Sequence, residues 1–225
     1  MKPIARTAIL LAAGAMLTAA APKTVGWNHT YAVTPDGHLI GNPKATNRLV
    51  EWVSYTCADC ATFMLQSDGA LQIGYVSSGR VSIEVRHLVQ GPVDLAAAML
   101  ADCGATDKFA LNHAALMRSQ GRWREAYERA GTAQKQRWTS GTLLGRGRAI
   151  ADDMGFYSVM ASRGYDRSAV DACLGDQRLA NRIGEQSKAG YASGITIHPS
   201  FTINGTQTPA HSWAELRPLI DASLK

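Results

Sequence analysis

Leu49-Val50-Glu51-Trp52-Val53-Ser54-Tyr55-Thr56-Cys57-Ala58-Asp59-Cys60 reads as a buried strand that runs directly into a Cys-x-x-Cys pair at the head of a helix. Leu49, Val50, Trp52 and Val53 suit a central strand, apolar on both faces. Ala61 to Leu65 continue without Gly or Pro, as a helix does. Two cysteines at this spacing can close a small, exchangeable disulfide. The free N–H groups and dipole of a helix N-terminus stabilise a thiolate on Cys57, and a thiolate is the species that attacks and leaves in thiol–disulfide exchange.

Other chemistries use the same spacing. Half of a zinc site is one, but a second close pair is missing, since Cys103 and Cys173 stand alone. A c-type haem site requires His after the second cysteine, and residue 61 is Ala. A purely structural disulfide is the plainest alternative, and the strand-then-helix context argues against it.

Working outward towards the N-terminus, Lys2 and Arg6 form a positive n-region, Ala8 to Leu17 a short apolar run, and Thr18 to Ala21 a set of small residues. This predicts a signal peptide over residues 1–20, cleaved after Ala19 or Ala20, with an uncleaved anchor as the alternative. The expected protein is exported and periplasmic. Its formal charge of +5 falls to about +3 once Lys2 and Arg6 leave. No Lys/Arg run interleaved with aromatics is visible, so nucleic acid is not an expected partner. The basic middle, including Arg118, Arg122, Arg124 and Arg129, reads as a solvated helical face.

Trp27 to Val33 reads as an edge strand, Pro35 to His38 as a turn, and Gly41-Asn42-Pro43 as a second break. After the Cys57 helix, expected to kink at Gly69 or Gly74, Val81 to His87 alternates as the next strand, parallel to the first. Pro92 opens a helix ending near Cys103-Gly104. Helices follow over Lys108–Ser119, Trp123–Arg137, Gly141–Met154, Ser168–Leu174 and Gln177–Tyr191. Strand character resumes at Ile195 and runs to Asn204, with Pro199 at its entry. Asn204-Gly205 is a hairpin turn, with Thr206 to Thr208 as the return strand. Ser212 with Glu215 caps a terminal helix, which Pro218 should bend or shorten.

This order, with the segments Val50 to Cys60 and Ile197-His198-Pro199-Ser200-Phe201-Thr202-Ile203-Asn204-Gly205, resembles the DsbA-like thiol–disulfide oxidoreductases of the thioredoxin superfamily, from about Gly41 to the C-terminus. The resemblance implies an α/β thioredoxin fold: residues 21–90 and 191–225 as a discontinuous thioredoxin-like domain, and residues 91–190 as a helical insertion. It implies Cys57 as nucleophile and Cys60 as its buried partner. Pro199 takes the place of the cis-proline beside the disulfide, and His198 that of the residue before it, which tunes potential and holds substrate. Glu51 takes the place of a buried acid that relays protons to the resolving cysteine. Taken alone, Glu51 reads as an edge charge and His198 as a surface histidine.

Strongly oxidising relatives carry Pro-His between the cysteines, where this chain has Ala58-Asp59. A carboxylate at Asp59 is expected to repel the Cys57 thiolate and make the enzyme less oxidising. The leftover Cys103 and Cys173 are expected to form a structural disulfide in an oxidising compartment, with two buried free thiols as the alternative. His29, His38, His87, His113 and His211 are read as structural or surface residues. No cofactor and no metal are expected. The expected partners are reduced or misoxidised secreted polypeptides and a membrane redox partner, either a DsbB-like quinone reductase or a thiol donor, with the chain itself a monomer. The competing functions are a reductase or isomerase and, from another class, a Cu(I)-binding metallochaperone, which no nearby Met-rich or His-rich tract supports. A non-catalytic binding module leaves the Cys57–Cys60 pair unexplained.

Overall fold

A computed structural model describes residues 26–225. The expected signal peptide lies outside the described residues. Among those described, no helix is long and apolar enough to cross a membrane.

Six strands form one sheet in the order β1-β2-β4-β3-β5-β6. They are β1 (Tyr31–Val33), β2 (His38–Gly41), β3 (Asn47–Val53), β4 (Val81–His87), β5 (Ser200–Ile203) and β6 (Thr206–Gln207). Only β3 and β4 run parallel, joined through α1 (Ala58–Ala70); every other pairing is antiparallel. The strand leading to Cys57 is therefore held on both edges, with Glu51 opposite Val85 on one side and Phe201 on the other.

The continuous apolar character of β3 has its reason in two faces of burial. Leu49 and Val53 join the main core with Phe63, Met64 and Phe201. Val50 and Trp52 turn to a smaller cluster with Leu88 and Ile195. A helix covers that second face closely: a Cβ at Gly190 would stand 2.5 Å from the Trp52 ring and 2.8 Å from Leu88. Only glycine lets this helix approach so near.

Eight helices separate β4 from β5: α2 (Pro92–Ala101), α3 (Phe109–Arg118), α4 (Gln120–Arg129), α5 (Thr132–Thr139), α6 (Leu143–Asp153), α7 (Phe156–Ala161), α8 (Arg167–Leu174) and α9 (Gln177–Ala192). The chain ends in α10 (Trp213–Ser223), where the Ser212 hydroxyl accepts from the Glu215 N–H.

Five local expectations differ from the structure. The edge strand expected over Trp27–Val33 begins only at Tyr31, after a 3-10 turn over Trp27–His29. Strand β2, His-Leu-Ile-Gly, takes in His38 from the expected turn and Gly41 from the expected break, with Leu39 and Ile40, which carried no assignment, between them. The helix expected over Trp123–Arg137 is two, parted where Ala130 turns extended. Strand β5 begins at Ser200 rather than Ile195, because residues 195–199 bend beside Cys57. Helix α10 runs through Pro218 for 11 residues and is not shortened. The expected irregularity after Gly69 is a π-helical turn over Leu71–Tyr75, closed by Gly79 in the left-handed region at φ 72°.

Candidate active site

Cys57 is the N-cap of α1, with φ −86° and ψ 120°. Its Sγ takes the role of the usual Ser or Asp oxygen and accepts the Cys60 N–H at 3.1 Å. Cys57 is half-buried, whereas Cys60 is fully buried beneath it, and both are thiols in this structure. On the open side, the Cys57 thiol lies 3.4 Å from the His198 carbonyl oxygen. The His198–Pro199 peptide is cis. The His211 ring holds the next carbonyl, with Nδ1 donating to Pro199 O at 2.8 Å.

The two sulfurs are driven apart electrostatically. The Cys60 thiol donates to Cys57, and the His198 side chain and the Cys60 N–H add to it, so that the Cys57 pKa is lowered to about 5 against the opposing effect of burial. Burial, and then the neighbouring Cys57, push Cys60 well up. The hydrogen bond to Cys57 raises His198. A thiolate over a thiol is therefore the reduced state at neutral pH.

Asp59 does not figure among the groups that set the Cys57 thiol. Its side chain is exposed on the first turn of α1, and the groups that set Cys57 are Cys60 and His198. Ala58, also at the surface of that turn, brings no charge.

Glu51 is buried, with its pKa raised to about 8, first by burial and then by the Asp68 carboxylate. It borders a cavity of about 40 Å³ with Met64, Ser67, Asp68 and His113, and its Oε1 has no hydrogen-bond partner among the described residues. A protonated carboxyl here can give or take a proton without a fixed counter-ion.

Three residues that the sequence reading did not assign to the site hold its backbone. The buried Asp94 carboxylate accepts from the Tyr55 N–H at 2.7 Å, the Ser54 hydroxyl at 2.6 Å and the Gln90 N–H at 3.0 Å. Gln120 at the start of α4 donates its amide to the carbonyls of Tyr55 and Cys57, each at 2.7 Å. The Gln90 side-chain amide meets Nε2 of His198. Asp94 was legible only as a first-turn acid of α2, and Gln90 and Gln120 carried no sequence signal at all.

Far from this site, Cys103 and Cys173 are joined, with their Cα atoms 5.6 Å apart. Of the histidines, His38 pairs with Asp102, and burial lowers His87 to about 4 and His113 to about 3. These three are packed side chains of the interior.

The family model described as Thioredoxin (Thioredoxin_4) matches residues 33–222. The chain belongs to this family. Among solved structures, a protein-disulfide isomerase from Novosphingobium aromaticivorans is 44% identical, covers 84% of this chain and 98% of its own, and superposes with a TM-score of 0.81. The α-DsbA1 of Wolbachia pipientis shares the fold at 20% identity and a TM-score of 0.66, over 84% of this chain and 90% of its own. A Rickettsia typhi protein that carries the provisional name protein-disulfide oxidoreductase is 24% identical over 198 residues, which is 87% of this chain. The chain spans 65% of the length of that curated relative.

Proposed function

We propose that this chain is an exported thiol–disulfide oxidoreductase that exchanges disulfides with secreted polypeptides through Cys57 and Cys60. The observation that carries the reading is the pairing of a half-buried Cys57 Sγ, capped by the Cys60 N–H at 3.1 Å, with a fully buried Cys60 behind it. In the oxidised enzyme a substrate thiolate attacks Cys57 Sγ. The Cys57–Cys60 bond breaks, its electron pair goes to Cys60 Sγ, and Glu51 supplies the proton that this sulfur takes up. A second substrate thiolate attacks the substrate sulfur of the mixed disulfide and Cys57 leaves as thiolate. Two substrate thiols are oxidised and the Cys57–Cys60 disulfide is reduced. His198 and Pro199 flank the attacked sulfur, and Ile197, largely exposed beside them, offers substrate an apolar contact. Reoxidation falls to a membrane partner, quinone-linked in the oxidase direction. The helical insertion at 91–190 belongs to this reading as the part that carries Gln120.

A Cys57 pKa of about 5 lies between the values of about 7 for thioredoxin and about 3.5 for DsbA. A stabilised thiolate stabilises the reduced form and makes an oxidant, so the enzyme is DsbA-like but less oxidising. Equilibration with glutathione tests this, with a potential expected between about −120 and −200 mV. A pair that does not equilibrate overturns the exchange reading. The name of the N. aromaticivorans relative favours a second reading, isomerisation, which requires recovery of activity from scrambled ribonuclease.

A further inference from the structure

The sequence offers the cysteines no soft or imidazole neighbour, yet the fold supplies one. Cys57 Sγ, Cys60 Sγ and a ring nitrogen of His198 all lie within 4.8 Å of one another. Among the described residues no other His, Cys, Asp and Glu side chains converge in threes this way. The three arrive from separate elements: the cap of α1, its first turn, and the bend before β5. Two sulfurs and one imidazole make a soft, low-coordinate donor set, which suits Cu(I). Zinc takes four ligands, and the buried Asp94 carboxylate, which holds the loop before Cys57, has both oxygens engaged by Ser54, Tyr55 and Gln90.

We propose that the dithiol form of this site binds one Cu(I) ion through Cys57, Cys60 and His198, with Gln90 as the positioning residue that fixes the imidazole. The proposal concerns the same sulfurs as the exchange reading and rests on that reading only for the existence of the dithiol state. Gln90 stands against Nε2 of His198; with its amide oxygen turned to that nitrogen it accepts the Nε2–H, which leaves Nδ1 without a proton and able to ligate. A partner on the second ring nitrogen is how ligating histidines are held in place. Cu(I) enters and stays as Cu(I), so no electron moves. Cys57 ligates as thiolate, and Cys60 gives its thiol proton to solvent as its sulfur joins the metal. Closing the Cys57–Cys60 disulfide removes both sulfur ligands, so metal binding and oxidation exclude each other. Copper therefore acts as a reversible brake on exchange, held only while the site is reduced.

The test is an anaerobic titration of the reduced full chain with Cu(I) against a chromophoric Cu(I) chelator, followed by X-ray absorption at the copper edge. One copper per chain in a three-coordinate mixed sulfur–nitrogen shell is expected. Gln90→Ala should weaken binding about tenfold, and His198→Ala more than that, with the shell falling to two sulfurs. His198→Asn serves as a second variant should the alanine change disturb folding, which circular dichroism checks. Unchanged affinity and a two-sulfur shell in both His198 variants and the parent would overturn the proposal, as would one copper bridging two chains. Insulin-reduction turnover, measured without metal, reads the exchange function separately: its loss alone would sink that reading and leave the copper site standing.

Discussion

Cys57 and Cys60 occupy one turn of helix and stand as thiols, whereas Cys103 and Cys173 are separated by 70 residues and are bonded. Backbone rigidity does not distinguish them. The Cys103 carbonyl accepts from Asn112 at 3.0 Å and from the Tyr165 hydroxyl at 2.6 Å, while the Cys57 carbonyl accepts from Gln120 at 2.7 Å. What differs is the field at the sulfur. Around Cys57 an N–H, a thiol and an imidazole converge on one atom and favour the anion. Cys103 lies 2% exposed at the end of α2, among helices packed on one another. One pair is arranged to exchange, the other to stay closed.

The largest effect expected is at the exchanging pair. Cys57→Ser should reduce insulin-reduction turnover to background, and Cys60→Ser should accumulate a mixed disulfide on Cys57, visible on a non-reducing gel. Turnover in Cys57→Ser would end the distinction between the pairs. Next, Cys103→Ala with Cys173→Ala removes a closed loop of 70 residues. Chain entropy puts the loss at up to about 4 kcal/mol, read from the urea midpoint. The Cys57–Cys60 potential should not move; a shift would mean that the two pairs communicate.

A smaller effect separates cost from stability. The Glu51 pKa of about 8 in the fold lies above its value in the unfolded chain. The native state therefore holds the proton more tightly: the contribution is complete below about pH 4.3 and is lost as pH rises through about 8. Glu51→Gln should match the parent at pH 4 and exceed it by roughly 3 kcal/mol at pH 7 in denaturant midpoints. Equal stability at both pH values would show that Glu51 is solvated. Smallest is Gln120→Ala, which strips one donor from two carbonyls and should lower stability by roughly 1–2 kcal/mol. Its Cys57 thiolate absorbance should titrate at higher pH than the parent if the loop relaxes.

Much of this was legible. Strand β3, the Cys57 helix, β4 and the Asn204-Gly205 hairpin each carry strong local signals: unbroken apolar runs, period-two alternation, a turn dipeptide. The DsbA-like resemblance drew His198 and Pro199 to the same site from the far end of the chain. Strand β2 was hidden because four residues, the first and last of them in breaks, show no period, and it forms only because β4 offers an edge to pair with. Spacing alone does not say which way a first-turn side chain points, and that of Asp59 is exposed. Gln90, Asp94 and Gln120 each act through a single contact or cluster across 30 residues or more of chain, as with Gln120 and Cys57, 63 apart. A lone amide on a helix leaves no periodic trace of its partner.

The Gln120 amide gives the active-site loop an external keeper. A chimera that moved only Cys-Ala-Asp-Cys onto a bare thioredoxin would carry the letters between the cysteines and leave behind the two carbonyl anchors at Tyr55 and Cys57. Such a graft should take on the redox character of its host. The tetrapeptide is thus a poor unit of inheritance for this chemistry; the portable module extends at least as far as α4.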